Sequence, residues 1–181
     1  MEKITFDIEG LILIKPRVFF DSRGFFFESF NHARYQEILG DNIEFVQDNI
    51  SSSSKNVLRG LHFQSPPMAQ GKLVTVLSGA VLDIAVDLRK ESPTYGKHHS
   101  VELTAANKYQ FWIPPGFAHG FVSLSDDTLF SYKCTNYYAA IHENTLMWND
   151  PDLNINWQSE NPLISDKDSL GISFKQFETP F

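Results

Sequence analysis

The chain has 181 residues, of which 42% are hydrophobic and 20% charged, and its formal net charge at pH 7 is −7. This length suits a single domain, residues 1–181, and the composition is that of an ordinary soluble globular protein. The acidic balance and the lack of any basic run argue against a nucleic-acid partner.

The chain also lacks features of exported or membrane proteins. Its single cysteine, Cys134, has no partner for an intrachain disulfide. No stretch approaches the roughly 18 consecutive apolar residues of a membrane span. The first ten residues, MEKITFDIEG, lack the apolar segment of a signal peptide. We therefore expect a cytoplasmic protein with no membrane partner.

Short apolar or alternating segments separated by turn residues dominate the chain, from GLILIKPRVFF near its start to TLFSYKCTNYY at residues 128–138. Such spacing predicts an all-β sandwich or barrel. A short helix is expected at about residues 31–39, because Asn31 can cap its start and Gly40 can end it. A second short helix is expected in the polar tail, around residues 165–170.

The segments KLVTVL and AVLDIAVDLR, joined by Ser78-Gly79, predict a β-hairpin. Alternation places four apolar residues on one face of its second strand: Leu82, Ile84, Val86 and Leu88. Asp83 and Asp87 fall on the other face.

Residues 113–121, IPPGFAHGF, match the second sequence motif of the cupin jelly rolls, in which a Pro/Gly turn delivers a histidine to the start of a strand. The alternative is a buried, hydrogen-bonded His119 with only a structural role. Metal-binding cupins also carry an earlier His-x-His pair, where this chain offers only His62. The adjacent His98 and His99 point to opposite faces of a strand. Three convergent ligands cannot be assembled, so no metal is expected.

The remaining polar residues suit proton transfer next to a ketone. A histidine such as His62 can act as a general base, and a tyrosine such as Tyr132 can return a proton from another side. Lys72 can stabilise the enolate charge that develops between these steps. Singly, Lys72 could be a solvated hairpin residue and Tyr132 a packed strand residue. This chemistry requires no cofactor.

The order of the motifs is more specific than any one of them. FFDSRGFFFESF, QDN, VLRGLHFQ, AQGKLV, DIAVDLRKESPTYGK, WIPPGFAHGF, SYKCTNYY, WNDP and SDKD follow one another from residue 19 to residue 168. This order strongly resembles the dTDP-4-dehydrorhamnose 3,5-epimerase family. The resemblance implies a metal-free, cupin-type jelly-roll β-barrel with a short helix in its first half and a short helical tail. It also implies a dTDP-4-keto-6-deoxy sugar substrate, in which both carbons flanking the ketone are inverted through an enolate.

The resemblance further implies catalytic roles for four residues. His62 of GLHFQ looks like the base, and Asp168 of SDKD looks like its carboxylate partner. Tyr132 looks like the acid on the opposite face, and Lys72 would lie near the keto oxygen. On its own, Asp168 would be interpreted as a surface residue of a polar tail.

Ten further residues match positions that the family uses to bind its nucleotide-sugar: Arg23, Phe26, Glu28, Gln47, Asn49, Arg59, His119, Tyr138, Glu143 and Lys167. The amino-terminal strands of the family cross into the neighbouring subunit, so a homodimer is expected in which Arg23 and Glu28 complete the partner's site. Core packing is the alternative for Phe26. The segment YYAAIHENTLMW around Glu143 departs from the family pattern, which leaves its loop path open.

Three other functions stay open. A related enzyme of another deoxysugar pathway would invert only one carbon with the same residues. A non-catalytic jelly roll would bind the nucleotide-sugar without proton exchange. A metal-dependent cupin would contain bound iron, nickel or zinc.

One local feature needs a special backbone. Strand alternation would place Arg59 and His62 of VLRGLHFQ on opposite faces, whereas the resemblance assigns both to one site. Glycine inside a strand often marks a bulge that redirects the residues after it. We therefore predict a bulge or sharp bend at about Gly60–Leu61.

Overall fold

The computed structural model describes all residues, 1–181, and consists mainly of antiparallel strands. The strands are β1 (Glu2–Thr5), β2 (Ile12–Lys15), β3 (Val18–Asp21), β4 (Gly24–Phe27), β5 (Gln47–Ser53), β6 (Leu58–Gln64), β7 (Lys72–Ser78), β8 (Ala80–Asp87), β9 (His98–Thr104), β10 (Gln110–Ile113), β11 (Phe117–Ser123), β12 (Thr128–Cys134) and β13 (Glu143–Thr145). The α-helices are α1 (His32–Leu39) and α2 (Asp166–Ser169), and neither is long and apolar enough to span a membrane.

Two sheets face each other and form the barrel. The six-stranded sheet has the order β1-β2-β10-β7-β12-β5, and the five-stranded sheet has the order β13-β6-β11-β8-β9. Inward-facing residues of both sheets, such as Val74, Ala85, Phe111 and Phe121, form the core between them. The architecture is the predicted cupin-type jelly roll, which confirms the expected fold.

The outer faces of the sheets are covered by different parts of the chain. Tyr35 of α1 packs on Leu73 and Trp112 outside the six-stranded sheet. Leu153 and Trp157 of the carboxyl-terminal segment pack outside the five-stranded sheet. Both predicted helices are confirmed, α1 with the Asn31 side chain as its cap and Gly40 at its end. The tail thereby brings α2 next to β6.

The predicted hairpin of KLVTVL and AVLDIAVDLR is wrong. These segments form β7 and β8, but β7 pairs with β10 and β12, whereas β8 pairs with β9 and β11. Gly79, with a φ of 80°, lies where the chain passes from one sheet to the other. Both faces of β8 are buried, so Asp83 and Asp87 lie inside the protein. A short turn between two strands has the same local sequence whether the strands pair or diverge.

The predicted bulge at Gly60 is confirmed. In the pairing of β6 with β11, His62 lies opposite His119 and Arg59 lies opposite Phe121, so three residue steps on β6 match two steps on β11. Gly60 has a φ of 137°, and a Cβ at this position would lie 2.5 Å from the Cα of Gly120. Only glycine fits both the backbone angle and the close approach. The extra residue turns Arg59 and His62 toward the same side.

The Gly60→Ala substitution is therefore expected to lower the free energy of unfolding by about 2–4 kcal/mol, since backbone strain and a steric clash add. Urea unfolding followed by circular dichroism measures this. Gly40→Ala is the matched control, because Gly40 also has a positive φ, 119°, but nothing lies within 4 Å of its added Cβ. Its expected cost is only about 1 kcal/mol. Equal midpoints for Gly60→Ala and the wild type would contradict the bulge as a structural requirement.

Candidate active site

A cavity of about 300 Å³ opens between the two sheets. Eight of the residues expected at the site line it: Arg59, His62, Lys72, His119, Tyr132, Glu143, Lys167 and Asp168. An adjoining cavity of about 110 Å³ is lined by three more: Gln47, Asn49 and Tyr138. His62, Lys72, Tyr132 and Glu143 line both. The barrel interior therefore gathers most of the expected site.

His62 and Asp168 form a close pair on the five-stranded wall. The Nε2 atom of His62 lies 2.5 Å from Oδ1 of Asp168, and Asp168 is only 3% exposed. Ser165 caps α2 by accepting the backbone N–H of Asp168 at 3.1 Å. No hydrogen bond within the chain occupies Nδ1 of His62. The pair thus leaves one imidazole nitrogen for a ligand and holds the other on a carboxylate.

Opposing effects set the pKa of Asp168. Burial acts to raise it, but hydrogen bonds from His62, the Ser165 hydroxyl and the Gly60 backbone amide outweigh burial and hold the pKa below its usual value of 3.8. The carboxylate is therefore ionised at neutral pH. The His62 imidazole thus has an anionic partner at Nε2.

The Asp168→Asn variant should be less stable than the wild type at pH 7. A carboxylate whose pKa is depressed in the folded state stabilises the fold at pH values above its unfolded-state pKa, 3.8. This stabilisation is lost as the pH falls through the folded-state pKa. The difference in unfolding free energy between the two proteins should therefore shrink in acid. Urea unfolding of both proteins at several pH values between about 3 and 7 measures it. A difference that stays constant over this range would contradict an ionised Asp168 carboxylate that stabilises the fold.

Lys72 and Tyr132 lie on the six-stranded wall. Tyr132 of β12 is directly opposite Val74 of β7 and Asn49 of β5, so it points into the barrel with them. Burial raises the pKa of Tyr132, which keeps its hydroxyl protonated at neutral pH. Burial lowers the pKa of Lys72, partly offset by attraction from Cys134, Asp83 and Glu143. A protonated phenol and a desolvated lysine thus face the histidine from the other sheet.

Sequence reasoning missed Asp83, which holds His119. The Nε2 atom of His119 lies 2.9 and 3.1 Å from the two carboxylate oxygens of Asp83, and both residues are buried. Burial lowers the pKa of His119, while Asp83 acts to raise it. The signal in the sequence was an aspartate within the apolar run AVLDIAVDL. Such a residue is rarely buried without a partner.

Glu143 joins two segments at the edge of the cavity. Its carboxylate lies 2.5 Å from Nζ of Lys167 and accepts a hydrogen bond of 2.9 Å from the Tyr138 hydroxyl. The backbone N–H of Tyr138 donates to the side chain of Gln47, which in turn donates to Asn49. The divergent segment around Glu143 therefore still brings Tyr138 and Glu143 to the site.

Arg59 reaches across to β5. Its Nε donates to the hydroxyl of Ser53 at 3.1 Å, and its Nη2 donates to the carbonyl of Ser52 at 3.0 Å. These contacts fix the guanidinium at the cavity wall and leave further N–H groups for an anion. A planar guanidinium suits phosphate oxygens.

Three expected site residues do not lie at the cavity of their own chain. Arg23 forms an ion pair with Asp21 at 2.6 Å, and Glu28 forms one with Arg34 at 2.9 Å. Phe26 is 70% exposed, so the alternative of core packing within the chain is wrong. All three lie on or beside the hairpin of β3 and β4, which pairs with no other strand.

No group of three or more His, Cys, Asp and Glu side chains is arranged to hold a metal ion. The antiparallel jelly roll surrounds a cavity of mixed charge, with a histidine–carboxylate pair facing a lysine and a tyrosine. These features place the protein among the cupin-type jelly-roll isomerases.

Comparison with known proteins gives the family. A model of the dTDP-4-dehydrorhamnose 3,5-epimerase family matches residues 5–176. The dTDP-4-dehydrorhamnose 3,5-epimerase of Shigella flexneri is 52% identical over 174 residues, which cover 96% of each chain. The chain belongs to this family of carbohydrate isomerases.

Solved structures agree with this assignment. The dTDP-6-deoxy-D-glucose-3,5-epimerase RmlC of Legionella pneumophila, in complex with dTDP-4-keto-L-rhamnose, superimposes with a TM-score of 0.94 at 48% identity, covering 98% of this chain and 94% of that one. ChmJ of Streptomyces bikiniensis, a 3'-monoepimerase in complex with dTDP-quinovose, gives a TM-score of 0.89 at 32% identity, covering 94% and 86%.

Proposed function

We propose that this protein converts dTDP-4-dehydro-6-deoxy-D-glucose to dTDP-4-dehydro-L-rhamnose by inverting both carbons that flank the ketone. The observation that carries this proposal is the placement of His62 and Tyr132 on opposite walls of one cavity. Inversion requires a proton to leave one face of the sugar ring and another to arrive at the opposite face. A base and an acid on the same wall would only restore the original configuration.

Each inversion follows the same course. Nδ1 of His62 removes the proton from a carbon beside the ketone, and the Asp168 carboxylate stabilises the resulting imidazolium. The electron pair moves into the ring as an enolate, whose oxygen is stabilised by Lys72. The Tyr132 hydroxyl then donates its proton to the opposite face of the carbon. The tyrosinate regains a proton from solvent, and the His62 imidazolium releases its proton to solvent before the next inversion. This course uses no cofactor.

The charges of the cavity support a nucleotide-sugar as the ligand. Although the protein is acidic overall, Arg59, Lys72 and Lys167 converge on one cavity, whose positive charges suit an anionic ligand, with Arg59 at the diphosphate and Lys72 at the keto oxygen. Gln47, Asn49 and Tyr138 extend the cavity as binding residues for the rest of the ligand, with His119 and Glu143 beside the sugar. We propose that residues 1–181 act as one domain around this site.

Incubation of the purified protein with dTDP-4-dehydro-6-deoxy-D-glucose in deuterium oxide tests the function. The expected result is deuterium at both carbons beside the ketone, with inverted configuration at both, read by mass spectrometry and NMR. Measurable binding of the nucleotide-sugar without any exchange would overturn the epimerase proposal in favour of a binding protein.

A second candidate is inversion at a single carbon. Its support is the close structural likeness to ChmJ, a 3'-monoepimerase. The same base and acid would serve, and the way the sugar is seated would determine which carbon reacts. Exchange with inversion at only one carbon in deuterium oxide would favour this candidate over the double inversion.

We also propose that two copies of the chain form a dimer in which each supplies Arg23, Phe26 and Glu28 to the other's cavity. The hairpin of β3 and β4 supports this, because a two-stranded sheet is marginally stable alone. Four of its phenylalanines are exposed: Phe19, Phe20, Phe25 and Phe26. A contiguous apolar surface of this kind marks an interaction site.

Subunit complementation tests the dimer. Arg23→Ala and His62→Ala chains carrying different tags are coexpressed, and the mixed dimer is purified through both tags. One site of this dimer contains both substitutions and the other contains neither, so about half of the wild-type activity should return. Light scattering should give twice the chain mass of 20.7 kDa. A monomeric mass, or a mixed dimer as inactive as its parents, would contradict the shared site.

A further inference from the structure

The serine run at residues 51–54 contributes three different groups around Arg59. On β5, alternation turns Ser51 and Ser53 toward the barrel interior and Ser52 outward. Ser53 accepts the Nε–H of Arg59 with its hydroxyl, and Ser52 accepts an Nη2–H with its carbonyl. Two of these serines therefore hold the guanidinium in place.

The hydroxyl of Ser51 is different. Its Oγ is buried, lines the same cavity as Arg59, and has no hydrogen-bond partner. Buried polar atoms are nearly always hydrogen-bonded, and an unpaired hydroxyl is costly. A hydroxyl left unpaired in the wall of a ligand cavity is therefore positioned to donate to the ligand.

The position of Ser51 along the strand indicates which part of the ligand it meets. Ser51 pairs with Phe130 of β12, whereas Tyr132 pairs with Asn49. Ser51 thus lies two residues, or about 7 Å along the strand direction, from the position of Tyr132. That displacement is toward Ser53 and the guanidinium of Arg59. In the proposed function the reacting carbons lie near Tyr132. A group next to Arg59 therefore contacts the phosphate that is linked to the sugar.

We propose that Ser51 is a substrate-binding residue whose hydroxyl donates a hydrogen bond to the sugar-linked phosphate, beside Arg59. This inference rests on the proposed function, because it takes a nucleoside diphosphate-sugar as the ligand. Arg59 supplies charge, and Ser51 supplies a short donor on the opposite sheet. The phosphate is thereby held between the two sheets, which sets the depth to which the sugar enters.

Isothermal titration calorimetry with dTDP and dTMP tests this. In dTDP the second phosphate occupies the sugar-linked position, and dTMP lacks it. Ser51→Ala should weaken dTDP binding by about 10-fold or more, since the lost hydrogen bond is made to a charged group. Binding of dTMP should be unchanged. Ser51→Cys keeps the number of side-chain atoms, but its larger thiol donates only weakly, so it should show most of the same loss.

Ser54→Ala is the matched control, because Ser54 is exposed in the same serine run and does not line the cavity. It should bind dTDP like the wild type. In turnover, Ser51→Ala should raise KM and leave kcat close to the wild-type value, as expected for a contact present before and during the reaction.

The possible outcomes separate the two proposals. If the wild type does not bind dTDP, the proposed function fails. If the wild type binds dTDP and Ser51→Ala binds it equally well with an unchanged KM, the inference about Ser51 is overturned and the proposed function stands. A raised KM with unchanged dTDP binding would place the hydroxyl on the sugar. Equal losses for dTDP and dTMP would place it on the other phosphate. Either result overturns the assignment to the sugar-linked phosphate.

Discussion

The His62→Ala variant is expected to lower kcat for inversion by about 10²- to 10⁴-fold, the range that a positioned general base contributes. Deuterium exchange should fall together with kcat at both carbons, because no other base lies next to the Asp168 carboxylate to take the proton. Binding of dTDP should change little, since the proposed target of the imidazole is the sugar, which dTDP lacks. Single-turnover assays in deuterium oxide measure exchange and inversion in the same sample.

The control for this variant is His32→Ala, which removes an exposed histidine at the start of α1, outside the cavity. It should retain wild-type turnover. Full deuterium exchange in His62→Ala would remove His62 from the role of base. In that case the 2.5 Å contact between His62 and Asp168 would have a structural role only.

The Tyr132→Phe variant should separate exchange from inversion. Without the hydroxyl, formation of inverted product should fall by about 10²- to 10⁴-fold. His62 should still remove the proton and return a deuteron to the same face, so exchange continues with retained configuration. The ring is kept, and with it the packing against Phe130 at 6.0 Å between centroids. The effect therefore reports the hydroxyl alone.

NMR of the sugar after incubation in deuterium oxide distinguishes these outcomes. Tyr109→Phe is the control, because Tyr109 packs at the edge of the core away from the cavity. Wild-type inversion in Tyr132→Phe would exclude this tyrosine as the acid. Loss of exchange as complete as in His62→Ala would instead make Tyr132 part of proton removal.

Several local features were predictable from the sequence. The start and end of α1 follow from the Asn31 side chain, which accepts the N–H of Arg34, and from Gly40. The bulge in β6 follows from one glycine within a strand pattern. These features depend on backbone sterics and on hydrogen bonds between near neighbours, which are written in a few consecutive residues.

The pairing of strands was less predictable. The Ser78-Gly79 link suggested a hairpin, whereas β7 and β8 belong to different sheets. Alternation fixes which side chains share a face but not which strand lies beside them. The ordered motifs supplied the jelly roll through family resemblance, which local periodicity alone could not do.

The sequence by itself thus determined the β-rich class, the helix boundaries, the bulge and, through its ordered motifs, the family and the residues to examine. Only the tertiary structure decided that His62 meets Asp168, 106 positions away, that Asp83 holds His119, and that Ser51 is left unpaired in the cavity wall. It also separated Arg23, Phe26 and Glu28 from the cavity of their own chain. The physical reason is that caps and alternation are local, whereas burial, charge pairing and shifted pKa values arise from groups that are distant in sequence and meet only when the sheets close.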